Sequence, residues 1–572
     1  MEGVFMSKNI IIVGAVALGS KAACRAKRLD PKANVTLIDQ SDLISYGGCG
    51  IPFYVSGDVS DVKELRTTSY HMVRDEAFFE TVKDVKVLTG TRVLSIDRAS
   101  KSVRIRKRDG AEDTLPYDKL VLGTGASPRK LDVPGGSLDN IFTASNLDDA
   151  QAIKSRITGG QIEKAVIVGA GFIGLEMAEA LADMWEIDTT VVEFCDQIMP
   201  GFVSKDLARM AQKHMEDQGV SFHLNEVVEA FEGETTVTAV KTNKRVIPAD
   251  LVIVGIGVTP GDELAREAGL ETSPRGGIVV NDMLQTSDPD IYSGGDCALV
   301  KNLITGKPGF YPLGSMANRQ GRVIGTNVTG GNAGFKGAVG SFVIKLFETS
   351  LAGAGLSIQN ARKEGYDAAS VQITQFDRAH FYPEKELMHL ELVFEKGTRR
   401  VLGIQGFGGK NDAMVGRINA VASILSYKPT VEDISNIELA YSPPFASAMD
   451  ILNALGNVAD NFLDGKFRPI DSDTFAEYWE NRDTCDVFFL DCREELDARP
   501  FVAKYPEHWT NIPQDELRQR IEEVARDKKI VLVCNTGVRS YEAQLNLYEF
   551  GLEDNVTVQN GMAGIQKSGV DI

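Results

Sequence analysis

Lys164-Ala165-Val166-Ile167-Val168-Gly169-Ala170-Gly171-Phe172-Ile173-Gly174 decides the fold. A short apolar run that stops at a glycine reads as a strand buried on both faces. The three glycines then serve a tight turn, close approach of a pyrophosphate and close packing of the next helix. The pattern predicts a helix through Glu176 to about Met184, then a second strand, Thr189-Thr190-Val191-Val192, ending on Glu193. A carboxylate there accepts hydrogen bonds from a ribose 2′-hydroxyl and repels a 2′-phosphate. Gly169, Gly171, Gly174 and Glu193 are therefore candidate cofactor residues, with NADH favoured over NADPH.

A weaker copy of the same pattern opens the chain. Asn9-Ile10-Ile11-Ile12-Val13 leads into Gly14-Ala15-Val16-Ala17-Leu18-Gly19, a helical segment to about Leu29, and the strand Asn34-Val35-Thr36-Leu37-Ile38-Asp39. Asp39 stands twenty residues after Gly19, the spacing of a ribose-binding acid, although Val16 replaces the middle glycine.

With 572 residues, the chain has room for three or four domains. Its hydrophobic content of 43% and charged content of 25% are those of a globular protein. A net charge of −19 argues against nucleic acid as a partner. No apolar run has the length of a membrane span. The opening Met1-Glu2-Gly3-Val4-Phe5-Met6 lacks the basic and apolar regions of a signal peptide, so a cytoplasmic location is expected, with residues before Lys8 outside the fold. Seven dispersed cysteines, 24, 49, 195, 297, 485, 492 and 534, fit reduced thiols, and without a Cys-x-x-Cys pair no zinc site is expected.

Gly14 and Gly169 are 155 residues apart, and two further stretches fall into the same frame: Leu120-Val121-Leu122-Gly123-Thr124-Gly125-Ala126-Ser127-Pro128 and Thr286-Ser287-Asp288-Pro289-Asp290-Ile291-Tyr292-Ser293-Gly294-Gly295-Asp296. The set resembles the two-dinucleotide flavoprotein reductases of the pyridine nucleotide-disulfide oxidoreductase family. The resemblance implies that FAD binds the first unit, through Gly14, Gly19, Asp39, Thr124, Gly125 and Asp296, and that NADH binds the second. It also implies a homodimer. The expected domains are an FAD-binding domain at 8–148 and 261–334, an NADH-binding domain at 149–260, an α+β dimerisation domain at 335–462 and a C-terminal α/β domain at 468–572.

Ser45-Tyr46-Gly47-Gly48-Cys49-Gly50-Ile51-Pro52 follows the first unit and holds one cysteine where many disulfide reductases hold two. A single thiolate forms a mixed disulfide, a persulfide or a sulfenic acid. The stretch resembles the Ser-x-x-x-Cys-Gly-x-Pro motif of coenzyme A-disulfide reductases and their persulfide-reducing relatives, with Gly48 where those relatives commonly carry asparagine. The resemblance implies Cys49 as the redox centre, Ser45 as a substrate residue, and Tyr382 and Tyr441 as phenols serving the partner subunit's cysteine. A packed interface aromatic is the alternative reading of each tyrosine. Flavin NADH peroxidases and oxidases place a histidine where this chain has Ala17, which weighs against peroxide as substrate. Arg25 and Arg28, three apart on a helix, either meet the phosphates of coenzyme A or line a solvated face.

Near the end, Lys529-Ile530-Val531-Leu532-Val533 runs into Cys534-Asn535-Thr536-Gly537-Val538-Arg539-Ser540. A cysteine on a strand-to-helix loop faces backbone N–H groups and a helix N-terminus, which stabilise a thiolate or a persulfide. The loop resembles that of rhodanese sulfurtransferases, as do Asp491-Cys492-Arg493 and Gln559-Asn560-Gly561-Met562. Tyr505-Pro506-Glu507-His508-Trp509 occupies the place of the usual Gly-His-Ile-Pro-Gly. Cys534 and Arg539 are the implied functional residues, with the thiol reachable from solvent; Cys485 and Cys492 read as packing. The whole chain resembles a coenzyme A-disulfide reductase fused to a rhodanese domain. The expected activity is NADH-dependent reduction of coenzyme A persulfide or polysulfide with release of sulfide, Cys534 delivering sulfane sulfur from a small or protein donor. Reduction of coenzyme A disulfide, an NADH oxidase or peroxidase, and a redox-sensing scaffold are the alternatives.

Overall fold

The computed structural model describes residues 7–572, so the opening Met1–Met6 lies outside the described residues. The chain forms two compact units. One comprises residues up to Phe194 with His223–Ala338; the other comprises Cys195–Phe222 with Val339–Ile572.

The first unit holds both glycine turns. Strands Asn9–Val13, Asn34–Ile38, Lys86–Leu88, Lys119–Leu122 and Ile291–Ser293 make one parallel sheet, in the order 291–293, 119–122, 9–13, 34–38, 86–88. Ile10, Ile12, Leu120 and Val121 are fully buried in it, as expected of strands covered on both faces. This order places the segment after Ile291–Ser293, which carries Asp296, on the same sheet as the first glycine turn. Strands Asp188–Val192, Lys164–Val168, Leu251–Val254 and Ile141–Phe142 run parallel, in that order, around the second turn. The helices after the turns are Leu18–Leu29 and Phe172–Ala182. Glycine is required where chain meets chain. A Cβ at Gly14, which has φ +97°, would stand 2.0 Å from the Gly123 carbonyl oxygen; one at Gly174 would stand 2.0 Å from that of Gly169.

In the second unit an antiparallel sheet runs in the order Phe342–Leu346, Thr349–Gly355, Val401–Gly409, Leu387–Glu395, Ala368–Phe376. Helices Asp412–Ile424 and Ile451–Leu463 accompany it. A separate parallel sheet takes Pro469–Ile470, Asn555–Val558, Lys529–Val533, Val487–Asp491 and Trp509–Asn511, in that order. The stretch that departs from the usual rhodanese sequence ends on Trp509, which is buried and donates its indole N–H to Asp491 Oδ2 at 2.9 Å. That tryptophan stacks between Phe489 and Phe501, and its truncation would cost about 3–5 kcal/mol.

One segment departs from the expected division. Residues 195–222 fall inside the span expected to bind NADH, yet they cluster with the second unit. The helix Lys205–Asp217 buries Leu207, Met210, Ala211 and Met215. His214 from that helix packs edge-on to Phe347 and Phe407 of the antiparallel sheet. Its other partners lie in the C-terminal α/β portion: Arg209 pairs with Asp473, and Ser472 N–H reaches Asp206 Oδ2 at 3.4 Å. The C-terminal portion is fastened to the antiparallel sheet as well. Gln372 N–H donates to Gln559 Oε1 at 2.9 Å, Thr374 Oγ1 donates to Asn560 Oδ1 at 3.0 Å, and Asn560 Nδ2 donates to Gln372 Oε1. These polar groups are buried and mutually satisfied, the arrangement that fixes one docking geometry.

Candidate active site

Gly47 ends the approach to Cys49, a single turn Gly48–Gly50 carries it, and Ile51–Ser56 follows as a short helix with Pro52 in its first turn. Small residues leave Cys49 exposed as a residue. Its sulfur faces the backbone N–H of Gly314, the first residue of the helix Gly314–Asn327. A Cβ at Gly314 would lie 3.6 Å from Cys49 Sγ. A helix N-terminus favours an anion, yet the Cys49 pKa is pushed up overall. Desolvation is the largest cause, and the carboxylate of Glu176 adds to it; the Gly314 N–H works in the opposite direction, and Asp296 raises the pKa further. The stabilising donor left open by Gly48 is thus supplied by a residue 265 positions away, against two acids.

The sequence patterns do not mark Glu176 as a site residue. It sits on the helix Phe172–Ala182, and burial, then the charge of Glu179, push its carboxyl up to about 7. An acid inside Phe172-Ile173-Gly174-Leu175-Glu176-Met177-Ala178, on a helix buried along most of its length, was the available signal. Burial alone raises Asp296 to about 6. A desolvated carboxyl beside a glycine turn fits a polyhydroxyl chain that would donate hydrogen bonds to it. The turns fit the pyrophosphates: a Cβ on Gly171 would meet nothing within 4 Å, leaving open space at the helix start.

Asp39 and Glu193, the acids expected to face the riboses, brace their own turns. Asp39 Oδ2 accepts from Ala15 N–H, and Glu193 Oε2 from Ala170 N–H, each at 2.7 Å. Thr124 Oγ1 donates to the Gly261 carbonyl, and Gly261 N–H returns to the Gly125 carbonyl at 2.8 Å, tying the crossing segments Ala126–Pro128 and Val258–Pro260 together. Ser45 is 3% exposed, and its N–H donates to the Ala15 carbonyl. It is packed beneath the first turn. Arg25 and Arg28 do not converge. Arg25 Nε reaches Thr326 Oγ1 at 3.1 Å on the helix Gly314–Asn327, while Arg28 is exposed and donates to its own helix at the Cys24 carbonyl.

The two tyrosine segments are brought together within the second unit. Ala379 N–H donates to the Pro443 carbonyl at 3.2 Å, and Ser447 Oγ to the Arg378 carbonyl at 3.1 Å. The Arg378 guanidinium lies over the Tyr382 ring, and Tyr441 is exposed. Arg417, which the sequence did not mark, joins the segments. It forms a largely buried ion pair with Asp450 and donates to the carbonyls of Asp377 and Phe445. A cleft of about 420 Å³ opens beside them, with Arg378, Arg417, Pro444, Phe445 and Asp450 among its walls.

Cys534 lies at the end of Lys529–Val533. Gly537, at φ +97°, caps the helix Val538–Glu549 and donates its N–H to Cys534 Sγ at 3.1 Å; Ser540 Oγ donates at 3.4 Å. The anion cradle read from the sequence is thus assembled, but the expected solvent access is not. Cys534 is 1% exposed. The segment after Asn555–Val558 packs against its backbone, Met562 N–H donating to the Cys534 carbonyl at 2.8 Å. Arg539 pairs with Glu494 at 3.6 Å. Cys492 is buried in an apolar cluster with Leu490 and Leu532, in keeping with a packing residue.

Residues 8–321 match the pyridine nucleotide-disulphide oxidoreductase family. The chain belongs to that family. Residues 341–452 match the dimerisation domain of these oxidoreductases, and residues 474–568 match the rhodanese-like domain. This oxidoreductase is 34% identical to an "NAD(P)H sulfur oxidoreductase (CoA-dependent)" of Pyrococcus abyssi, over 80% of its own length and 99% of the relative's. An NAD-dependent persulfide reductase from A. fulgidus has the same architecture at 38% identity and TM-score 0.91, covering 97% of this chain and 99% of that one. The reduced CoADR-RHD of Bacillus anthracis matches at 30% identity and TM-score 0.89, covering 99% and 98%. As a pyridine nucleotide-disulphide oxidoreductase with a rhodanese-like domain, the protein is an enzyme of mixed α/β fold. Among the described residues no helix is long and apolar enough to cross a membrane, and no acid, histidine and cysteine cluster could hold a metal.

Proposed function

We propose that this enzyme uses NADH to reduce coenzyme A persulfide or polysulfide, releasing sulfide. The observation that carries the reading is one thiol, Cys49, at a helix N-terminus beside Asp296 and Glu176, in a chain that also keeps an intact rhodanese cradle around Cys534. The relatives named above act on sulfur in a coenzyme A-dependent or NAD-dependent manner, which supports the same class.

In this reading residues 8–148 and 261–334 hold FAD through Gly14, Gly19, Asp39, Thr124, Gly125 and Asp296, and residues 149–260 hold NADH through Gly169, Gly171, Gly174 and Glu193. Bound flavin and nicotinamide supply two electrons. Cys49 attacks the coenzyme A-bound sulfur of the persulfide, the S–S bond breaks and hydrosulfide leaves; two-electron cleavage of the resulting Cys49–coenzyme A disulfide would release coenzyme A, with Gly314 N–H steadying the Cys49 thiolate. Tyr382 and Tyr441 serve the Cys49 of a partner subunit in a cytoplasmic homodimer, where a neutral phenol donates a proton to a leaving thiolate. Arg417 is a positioning residue that holds their two segments in register. Cys534 accepts sulfane sulfur from a small or protein donor.

The burial of Cys534 favours a second reading, in which Cys49 reduces coenzyme A disulfide and the rhodanese loop takes no part. Steady-state NADH oxidation with coenzyme A persulfide, polysulfide, coenzyme A disulfide and oxygen separates the two. Faster turnover of the disulfide than of either sulfane substrate would overturn the first reading, and faster turnover of oxygen would overturn both.

A further inference from the structure

Cys492 has a neighbour that the sequence does not announce. Strands Val487–Asp491 and Lys529–Val533 pair in parallel, with Leu490 opposite Leu532 and Asp491 opposite Val533. The ladder continues one step, because Cys492 N–H donates to the Val533 carbonyl at 2.8 Å. The first residue after each strand is a cysteine, Cys492 after one and Cys534 after the other. Cys492 lies in one apolar cluster with Leu490 and Leu532, and Cys534 Sγ accepts from Ser540 Oγ on the helix Val538–Glu549, whose Ala543 and Leu547 belong to that same cluster. Phe489, Val531 and Val533 pack in another cluster on the opposite face. Both thiols therefore occupy the same side of the sheet at adjacent positions. Neighbouring strands stand about 4.8 Å apart, within the Cα separation of about 4.4–6.8 Å at which a disulfide closes.

We propose that Cys492 is the resolving thiol of the rhodanese loop, and that oxidation of Cys534 closes a reversible Cys492–Cys534 disulfide. The proposal is independent of which sulfur compound Cys49 reduces. Both sulfurs are free thiols in the structure. Cys492 is held protonated: burial first, then the charge of Cys534, push its pKa well up, while Arg539 pulls the other way. Both thiols are buried, and what separates them is the cradle: Gly537 N–H and Ser540 Oγ donate to Cys534 Sγ, so an oxidant that enters the loop reacts at Cys534. With hydrogen peroxide Cys534 Sγ takes one oxygen as the O–O bond breaks, and the Cys534 proton leaves with the departing hydroxide as water. The Cys492 sulfur then bonds to Cys534 Sγ as the S–O bond breaks, and the Cys492 proton departs with that oxygen as a second water. A dithiol reverses the process by thiol–disulfide exchange. While the bond is closed, Cys534 carries no sulfane sulfur and is spared irreversible oxidation.

The test uses the full-length holoenzyme, equimolar hydrogen peroxide, blocking of remaining thiols and tryptic mass spectrometry. Cleavage places Cys492 in residues 483–493, with Cys485, and Cys534 in residues 530–539. The expected product joins these two peptides at a mass about 2 Da below their sum. Fragmentation should put the bond at Cys492, dithiothreitol should undo it, and Cys485→Ser should retain it. In Cys492→Ala, which keeps the site apolar, equimolar peroxide should instead leave Cys534 as a dimedone-trappable sulfenic acid, and a second equivalent should carry it to the sulfinate, about 32 Da heavier than the thiol. If that variant fails to fold, the wild-type cross-link and its Cys485→Ser control still decide. Cys534 left as a thiol, converted to sulfinate in the wild type, or joined to Cys485 would each overturn the proposal.

Discussion

The two sulfur loops solve opposite problems. Around Cys49 the backbone is small and open, and two carboxyls face the sulfur against one helix N-terminal N–H. Around Cys534 the chain is closed, and Gly537 N–H and Ser540 Oγ point at the sulfur while Arg539 lies nearby. The first loop is thus poised so that its thiolate depends on what binds beside it. The second is a preformed anion site whose chemistry is gated by access. In the proposed cycle, a Cys49 that alternates between states would gain from a balance that a ligand can tip, whereas a Cys534 that carries sulfur would gain from a fixed cradle.

The largest effect expected from this contrast is on turnover. Cys49→Ser should lower NADH-dependent reduction of every sulfur substrate by at least about 10³-fold while FAD absorbance is retained; Cys534→Ser should spare freely diffusing coenzyme A persulfide and impair only larger polysulfide or protein donors. Comparable losses on both substrate types in Cys534→Ser would make it an obligatory relay and erase the contrast.

Cofactor choice comes next, because it concerns the electrons that reach Cys49. Repulsion and desolvation at Glu193 should cost NADPH on the order of 1–3 kcal/mol relative to NADH, roughly 5- to 150-fold in kcat/KM. Equal specificity constants would remove Glu193 from the ribose site.

A third measurement addresses the electrostatics of Cys49 directly. Glu176 ionises near pH 7, and its negative charge then raises the Cys49 pKa. Glu176→Gln should shift the pH profile of Cys49 alkylation downward, by about one unit or less, so that more thiolate is present at any pH above 7. Profiles that coincide would mean that desolvation alone sets the thiol.

Smaller effects test the cradle and the arginines. Ser540→Ala should slow sulfur uptake by Cys534 about 2- to 10-fold, the worth of a hydrogen bond of about 0.5–1.5 kcal/mol. Charge reversal at Arg25 and Arg28 should raise KM for coenzyme A substrates, with Arg25 contributing more than Arg28 because Thr326 anchors it; an unchanged KM assigns both to a solvated face.

Much of this architecture could be read residue by residue. The glycine turns, their flanking strands and the acids that end the second strands, Asp39 and Glu193, were legible because each is a local pattern with a local steric cause. The Cys534 cradle was legible for the same reason, since Gly537 and Ser540 lie within six residues of the sulfur. The burial of Cys534 was not, because it depends on chain brought against the loop by tertiary packing, such as the Met562 segment bonded to the Cys534 carbonyl.

By itself, then, the sequence determined the two dinucleotide units, the lone cysteine of the stretch Ser45–Pro52 and the rhodanese loop. Short-range backbone geometry leaves glycine few substitutes at Gly14 and Gly169, and strand periodicity is written into consecutive side chains. Tertiary structure alone decided that Gly314 meets Cys49, that Glu176 faces it, that Arg417 and Asp450 hold the tyrosine segments, and that helix Lys205–Asp217 belongs with the C-terminal portion. It also decided that Cys492 stands beside Cys534. These contacts join residues far apart in sequence, and their geometry follows from sheet register and packing, which no local pattern of residues encodes.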